Sequence, residues 1–109
     1  MRDNPARALW RRAKVRAARG GLPFTITVAD IEAVWPTNNR CPVFGTELVQ
    51  KKGKGAGRGS PSLDRLNNDW GYAQGNIAVI SMAANQIKGD NTAAEVLRVA
   101  RWMKKQGLN

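Results

Sequence analysis

Apolar residues recur at spacings of three and four along residues 4–19, NPARALWRRAKVRAAR. Ala6, Leu9, Trp10, Ala13 and Ala17 fall on one narrow stripe, which predicts an amphipathic helix. Asn4 is placed to cap it, Pro5 suits its first turn, and Gly20-Gly21 stops it. LPFTIT then reads as a short extended segment. Thr27 caps a second helix, VADIEAVW, with Asp30 in its first turn and Pro36 at its end; Ile31, Val34 and Trp35 are expected to face the core. Residues 41–49, CPVFGTELV, read as a hairpin or knuckle.

Farther on the period shortens. Residues 61–66 read as a strand, residues 67–75 as a long loop of turn formers, and residues 76–81 as a second strand. Ser81 can cap a helix running from Met82 to Lys88, which Gly89 stops. Thr92 and Glu95 form a T-A-A-E capping box for a final helix. Val96, Val99, Ala100 and Met103 give that helix an apolar face, with Leu97 and Trp102 beside it. It reads as structural, a supplier of core. The sum is an α+β single domain over residues 1–109. Residues 1–40 form a basic helical region, 41–90 the knuckle and a strand–loop–strand–helix finger, and 91–109 a C-terminal helix.

Composition narrows the partners. The 109 residues are 42% apolar, enough for one small core. Lys and Arg number 18 against 8 Asp and Glu, a net charge of +10. Such an excess favours a polyanion, because each neutralised phosphate releases a counterion. DNA is the leading partner, RNA a weaker one. The basic segments carry too little large apolar surface for a membrane, and neither a spanning run nor a secretory h-region is visible. One cysteine excludes an internal disulfide and any cysteine-built zinc cage, so no zinc is expected. A reducing cytoplasm is the default compartment, the host cytoplasm if the chain is phage-encoded.

The basic residues cluster. Arg7, Arg11, Arg12, Lys14, Arg16 and Arg19 cover the faces of the first helix that its apolar stripe leaves open, with few acids among them. Like charges so placed suit phosphate contact better than a merely solvated face. Lys51, Lys52, Lys54 and Arg58 lie in a Gly-rich segment, QKKGKGAGRGSP. That segment reads either as a solubilising linker or as an arm that orders against a phosphate backbone. Cys-Pro-Val-Phe-Gly has the outline of a zinc knuckle with Phe44 in place of its second sulfur, which leaves Cys41 a packing role. Trp35 and Trp102 are expected in the core. Trp10 could dock its helix or stack on a base, and Trp70 could stack or plug the finger loop.

The finger carries the chemistry. Asp64 lies near the end of its first strand, Asn76 opens its second, and Asn85 sits on its helix with Lys88 one turn later. In this order the motifs SPSLDR, GY, GN and AN-x-x-K resemble the HNH, or His-Me finger, endonucleases over roughly residues 41–90, and especially a group of small, mostly phage-encoded proteins. The resemblance implies a ββα-metal fold. It implies that Asp64 and Asn85 are metal ligands, that Asn76 braces the loop through hydrogen bonds, and that Lys88 is the basic residue often found after the helix ligand. Mg²⁺ or Mn²⁺ suits that sparse oxygen set, because such ions keep several waters and share substrate phosphate oxygens.

Arg65 stands where this family carries its catalytic His, and the chain has no His at all. A guanidinium stays protonated and cannot act as a base near neutral pH, but it can grip a phosphate and stabilise developing charge. Proton abstraction then falls to Tyr72, to Asp69, or to a metal-acidified water. The expected function is a metal-dependent DNA endonuclease of low sequence specificity, with Asp64, Arg65, Tyr72, Asn76 and Asn85 in its site. A homodimer is one way for so small a chain to cut both strands. The alternative is a catalytically inactive finger kept for DNA binding or for regulating a partner.

Overall fold

Residues 4–49 and 57–108 are described by a computed structural model; Lys51, Lys52 and Lys54 lie outside them. The elements are α1 (Pro5–Gly20), α2 (Val28–Val34), β1 (Pro61–Arg65), β2 (Ile77–Ser81), α3 (Met82–Lys88) and α4 (Ala93–Lys105). This is the expected α+β arrangement, with a ββα unit between a basic N-terminal helix and a C-terminal one. Among the described residues no helix is long and apolar enough to cross a membrane.

Local signals account for the helix ends. The Asn4 side chain accepts from the Ala6 N–H, and Gly21 closes α1 with φ 64°, a left-handed geometry that favours glycine. Capping boxes start α2 through Thr27 and Asp30, and α4 through Thr92 and Glu95. Ser81 ends β2 and caps α3 by accepting from the Ala84 N–H. Two further N–H groups at the start of α3 are met by the chain ahead of β1: Met82 N donates to Ser60 O and Ala83 N to Arg58 O. The donors that a helix leaves open at its N-terminus are thereby satisfied inside the fold.

β1 and β2 pair antiparallel, with Ser62 opposite Ile80, Leu63 opposite Val79 and Asp64 opposite Ala78. Ala6, Leu9, Ala13 and Ala17 of α1 are buried, and α1 packs on β1 and α2. Ile31 of α2, Leu63, Ile77, Val79 and Ile80 complete the centre. The small side chains of the α1 stripe let that helix approach the strand closely. Trp10 docks it: its indole N–H donates to Ile26 O at 2.9 Å, and its ring meets Phe24 edge to face. The knuckle is a narrow hairpin, with Cys41 N donating to Thr46 O and Gly45 N to Cys41 O. Cys41 is buried, and its sulfur accepts from Ser81 N, tying the knuckle to the end of β2.

The extended segment after α1 straps the finger loop. Thr25 N donates to Tyr72 O and Tyr72 N to Pro23 O, both at 2.9 Å. Gly71 permits this approach, because a Cβ there would lie 2.3 Å from Pro23 O.

Two packing expectations fail. Val34 is exposed rather than in the core, since α2 is only seven residues long and buries Ile31 alone; Trp35 packs half-buried at its end. The final helix supplies no buried residue, and Trp102 is 59% exposed. Helix α4 packs against α3 among the named elements, so no second layer receives its apolar face. Between it, α3 and the knuckle lies an open groove lined by Phe44, Ile87, Val96 and Leu97. The molecule measures 48 × 31 × 24 Å.

Candidate active site

Strand periodicity divides β1 between two neighbours. Alternate residues of a strand point to opposite faces, so Ser62 and Asp64 share one face and Leu63 and Arg65 the other. On α3, Asn85 and Lys88 stand three residues apart and so share a helix face. These two pairs meet. Asn85 Nδ2 donates to Ser62 Oγ at 2.7 Å, and Lys88 Nζ donates to Asp64 Oδ1 at 3.2 Å. Lys88 also donates to Arg65 O at 3.0 Å.

Asp64 is only 5% exposed, and its bond with Lys88 is the one ion pair among the described residues. Its second oxygen receives no hydrogen bond from them. Every fully buried polar side-chain atom described has a partner, so that oxygen is one that opens outward. Asp64 itself lines a cleft of about 400 Å³, together with Arg16, Arg65, Tyr72, Asn85 and Asp90. The Asn85 amide nitrogen is spent on Ser62, which leaves its oxygen without a partner among the described residues. One oxygen-bearing side chain from β1 and one from α3 thus line the same cleft.

Asn76 does not line the cleft; it builds the loop beside it. Its Oδ1 accepts from Asn67 N at 2.8 Å, and its Nδ2 donates to Asn67 O at 3.1 Å and Gly71 O at 2.9 Å. Arg65 works on the same loop. Its NH1 donates to Asn68 O at 2.8 Å and to Trp70 O at 2.9 Å, while the guanidinium stacks 5.6 Å above the Tyr72 ring. One side of the guanidinium is therefore committed to backbone carbonyls. The Trp70 carbonyl is held in this way while its side chain projects, 65% exposed.

Tyr72 is buried, packed against Phe24, and its hydroxyl accepts from Arg16 Nε at 3.4 Å. The phenolic proton is then left to donate elsewhere. Arg16 also donates to Leu63 O at 3.5 Å. This residue differs from the rest of the α1 basic group, because it belongs to the cleft. Arg12, Arg16 and Arg19 follow one another at spacings of four and three, so one flank of α1 leads a row of cations to the cleft edge. Arg7, Arg11, Arg12, Lys14 and Arg19 are exposed, and Lys14 lies over the Trp10 ring at 4.9 Å. Arg58 is exposed and lies away from the cleft residues, in a depression with Phe44 and Ala83. Asp69 lines the α3–α4 groove and is not among the cleft residues.

Sequence reasoning missed Asp90 and Ser62. Asp90 follows the glycine that ends α3, where only the turn geometry brings it to the cleft rim. Ser62 is a bland strand residue until Asn85 is seen to bond it. Asp64 and Asn85 carry the kind of oxygen that a hard cation takes, but they are only two such groups. Among the described residues no three His, Cys, Asp or Glu side chains converge. A six-coordinate Mg²⁺ or Mn²⁺ would complete its shell with water and phosphate oxygen, as such ions commonly do.

No family model and no curated protein matches the sequence. Among solved structures, the chain is similar to the rare-cutting HNH restriction endonuclease PacI, with a TM-score of 0.63 and 19% identity, over 95% of this chain and 82% of that one. The likeness is one of architecture: this chain has an HNH-like ββα fold.

Proposed function

We propose that this protein is a metal-dependent DNA endonuclease that hydrolyses a phosphodiester with little sequence specificity. The observation that carries this reading is the cleft itself, which Asp64 and Asn85 line together with Arg16, Arg65 and Tyr72. The HNH restriction endonuclease fold adds support. Asp64 and Asn85 would hold Mg²⁺ or Mn²⁺, which supplies Lewis acidity and acidifies water when bound. Arg16, and the part of Arg65 not committed to the loop, offer N–H donors to the non-bridging phosphate oxygens, where charge builds during attack. Tyr72, held by Arg16 and covered by Arg65, presents its hydroxyl to the cleft as the proton-handling group. Asp90 at the rim is a second acceptor. Asn76 acts at one remove by fixing the loop on which Tyr72 stands. The Arg12, Arg16 and Arg19 flank tracks the DNA backbone, and a homodimer would serve to cut both strands. We place this activity in the cytoplasm, that of the host for a phage-encoded chain.

A second reading rests on one feature. Arg65 replaces the family's His and is engaged by Asn68 and Trp70 carbonyls, which suits a finger kept for DNA binding alone. Cleavage of supercoiled plasmid separates the two. With Mg²⁺ or Mn²⁺, the wild type should yield nicked or linear product, and EDTA or Asp64→Ala should abolish it while gel-shift binding persists. Binding by both proteins with cleavage by neither would leave the DNA-binding reading.

A further inference from the structure

We propose that Lys88 gates the metal site, so that the divalent cation and the phosphodiester enter the cleft together rather than the metal alone. This inference rests on the metal-site reading of Asp64 and Asn85. The Lys88 ammonium lies 3.2 Å from Asp64 Oδ1 and donates to Arg65 O at 3.0 Å. It occupies one edge of the sole carboxylate buried at the cleft, and so already supplies the positive charge that this carboxylate needs. Arg16 and Arg65 line the cleft beside Asp64, with exposed Asp90 as its other acid, while Lys88 reaches Asp64 from the side of the α3–α4 groove. Three cations therefore stand near two carboxylates before any metal arrives.

A divalent ion placed beside Asp64 must repel the ammonium at close range, in surroundings less polarisable than water. Without an anion in the cleft, a displaced Lys88 head gains no new partner. A phosphodiester changes the balance, because it offers the ammonium another set of oxygens. Lys88 is suited to the exchange. It is 32% exposed, and its carbonyl bond to Arg65 can persist as a pivot while the head leaves Asp64. Asp64 has one oxygen free throughout, but it turns its whole charge to the metal only when substrate has drawn the ammonium away from Oδ1. By linkage, DNA must tighten metal binding by the same factor as metal tightens DNA binding.

The test is a Mn²⁺ titration followed by electron paramagnetic resonance. It is run on the full-length protein, alone and with a phosphorothioate-linked DNA duplex, with the duplex's own Mn²⁺ uptake subtracted. Asp64→Asn identifies binding at this site. The wild type alone should bind Mn²⁺ weakly there, and the duplex should tighten it by at least about tenfold. Lys88→Met, which keeps the stem and removes the charge, should bind at least about tenfold tighter than wild type without DNA and gain less from it. Lys88→Gln serves as the second variant should the first fold poorly, and the wild-type comparison with and without duplex needs no variant. Wild-type binding as tight as that of the Lys88 variants, with no gain from duplex, would overturn the gate and leave the metal site standing. A duplex gain unchanged in both variants would remove Lys88 from the role. No Asp64-dependent binding in any protein would overturn the gate and the metal-site reading together.

Discussion

Asn76 is a single buried amide that sets the path of a loop. It satisfies one N–H and two carbonyls of the finger loop, so its removal leaves all three without that partner. Asn76→Ala is expected to cost about 1–2 kcal/mol in urea denaturation, the scale of hydrogen bonds lost from a partly buried site. The resemblance to HNH enzymes identified this bracing role, and the hydrogen bonds give it a physical basis. The same resemblance set Asp64 and Asn85 together, and both line the cleft. Their contacts were not legible, since Lys88 lies 24 residues from Asp64 and Asn85 lies 23 from Ser62. Only the packing of a helix face against a strand face joins them. The resemblance set Arg65 at the family's histidine position, but nothing in the sequence showed it as a loop brace. A histidine placed there would remove the donor that Asn68 and Trp70 share.

The elements were legible where short-range chemistry fixes them. Asn4, Thr27, Ser81 and Thr92 each cap the helix that the pattern assigned to them. These caps also respond to acid. The Thr27 N–H bonded to the Asp30 carboxylate, followed by Gln74 and the Thr27 hydroxyl, holds Asp30 below its ordinary value. A depressed carboxylate contributes stability that is fully present above its unfolded value, about pH 4, and is lost as pH falls through the folded one. Glu95 behaves alike through the Thr92 N–H and then the Thr92 hydroxyl. Hydrogen exchange at the Thr27 and Thr92 amides should therefore stay protected near neutrality and accelerate, after correction for intrinsic rates, below about pH 4. The strap across the finger loop lacked any such local signal. Gly71→Ala tests it: a Cβ against Pro23 O must push strap and loop apart, with an expected cost of about 1–3 kcal/mol and, on the proposed nuclease function, weakened plasmid cleavage as Tyr72 shifts. A full-strength variant would show that the strap does not position the tyrosine. Helix α4 marks the opposite limit. Its pattern shows which face is apolar but not whether another layer will cover that face.

At the scale of the whole molecule, charge and shape act together. The +10 charge predicted a polyanionic partner, and the Arg12, Arg16 and Arg19 flank gives that expectation a direction. Fluorescence anisotropy with a labelled duplex should show steep salt dependence. Replacing those three arginines with glutamine should lower the slope of log affinity against log salt by about 0.9 for each phosphate contact removed. An unchanged slope would mean that DNA runs elsewhere on the surface. The long dimension sets a further quantity. The molecule's 48 Å length exceeds one turn of B-form DNA, about 34 Å. At about 3.4 Å per base pair, one copy laid lengthwise would shield roughly 14 base pairs, a footprint that reaches well beyond the cleft.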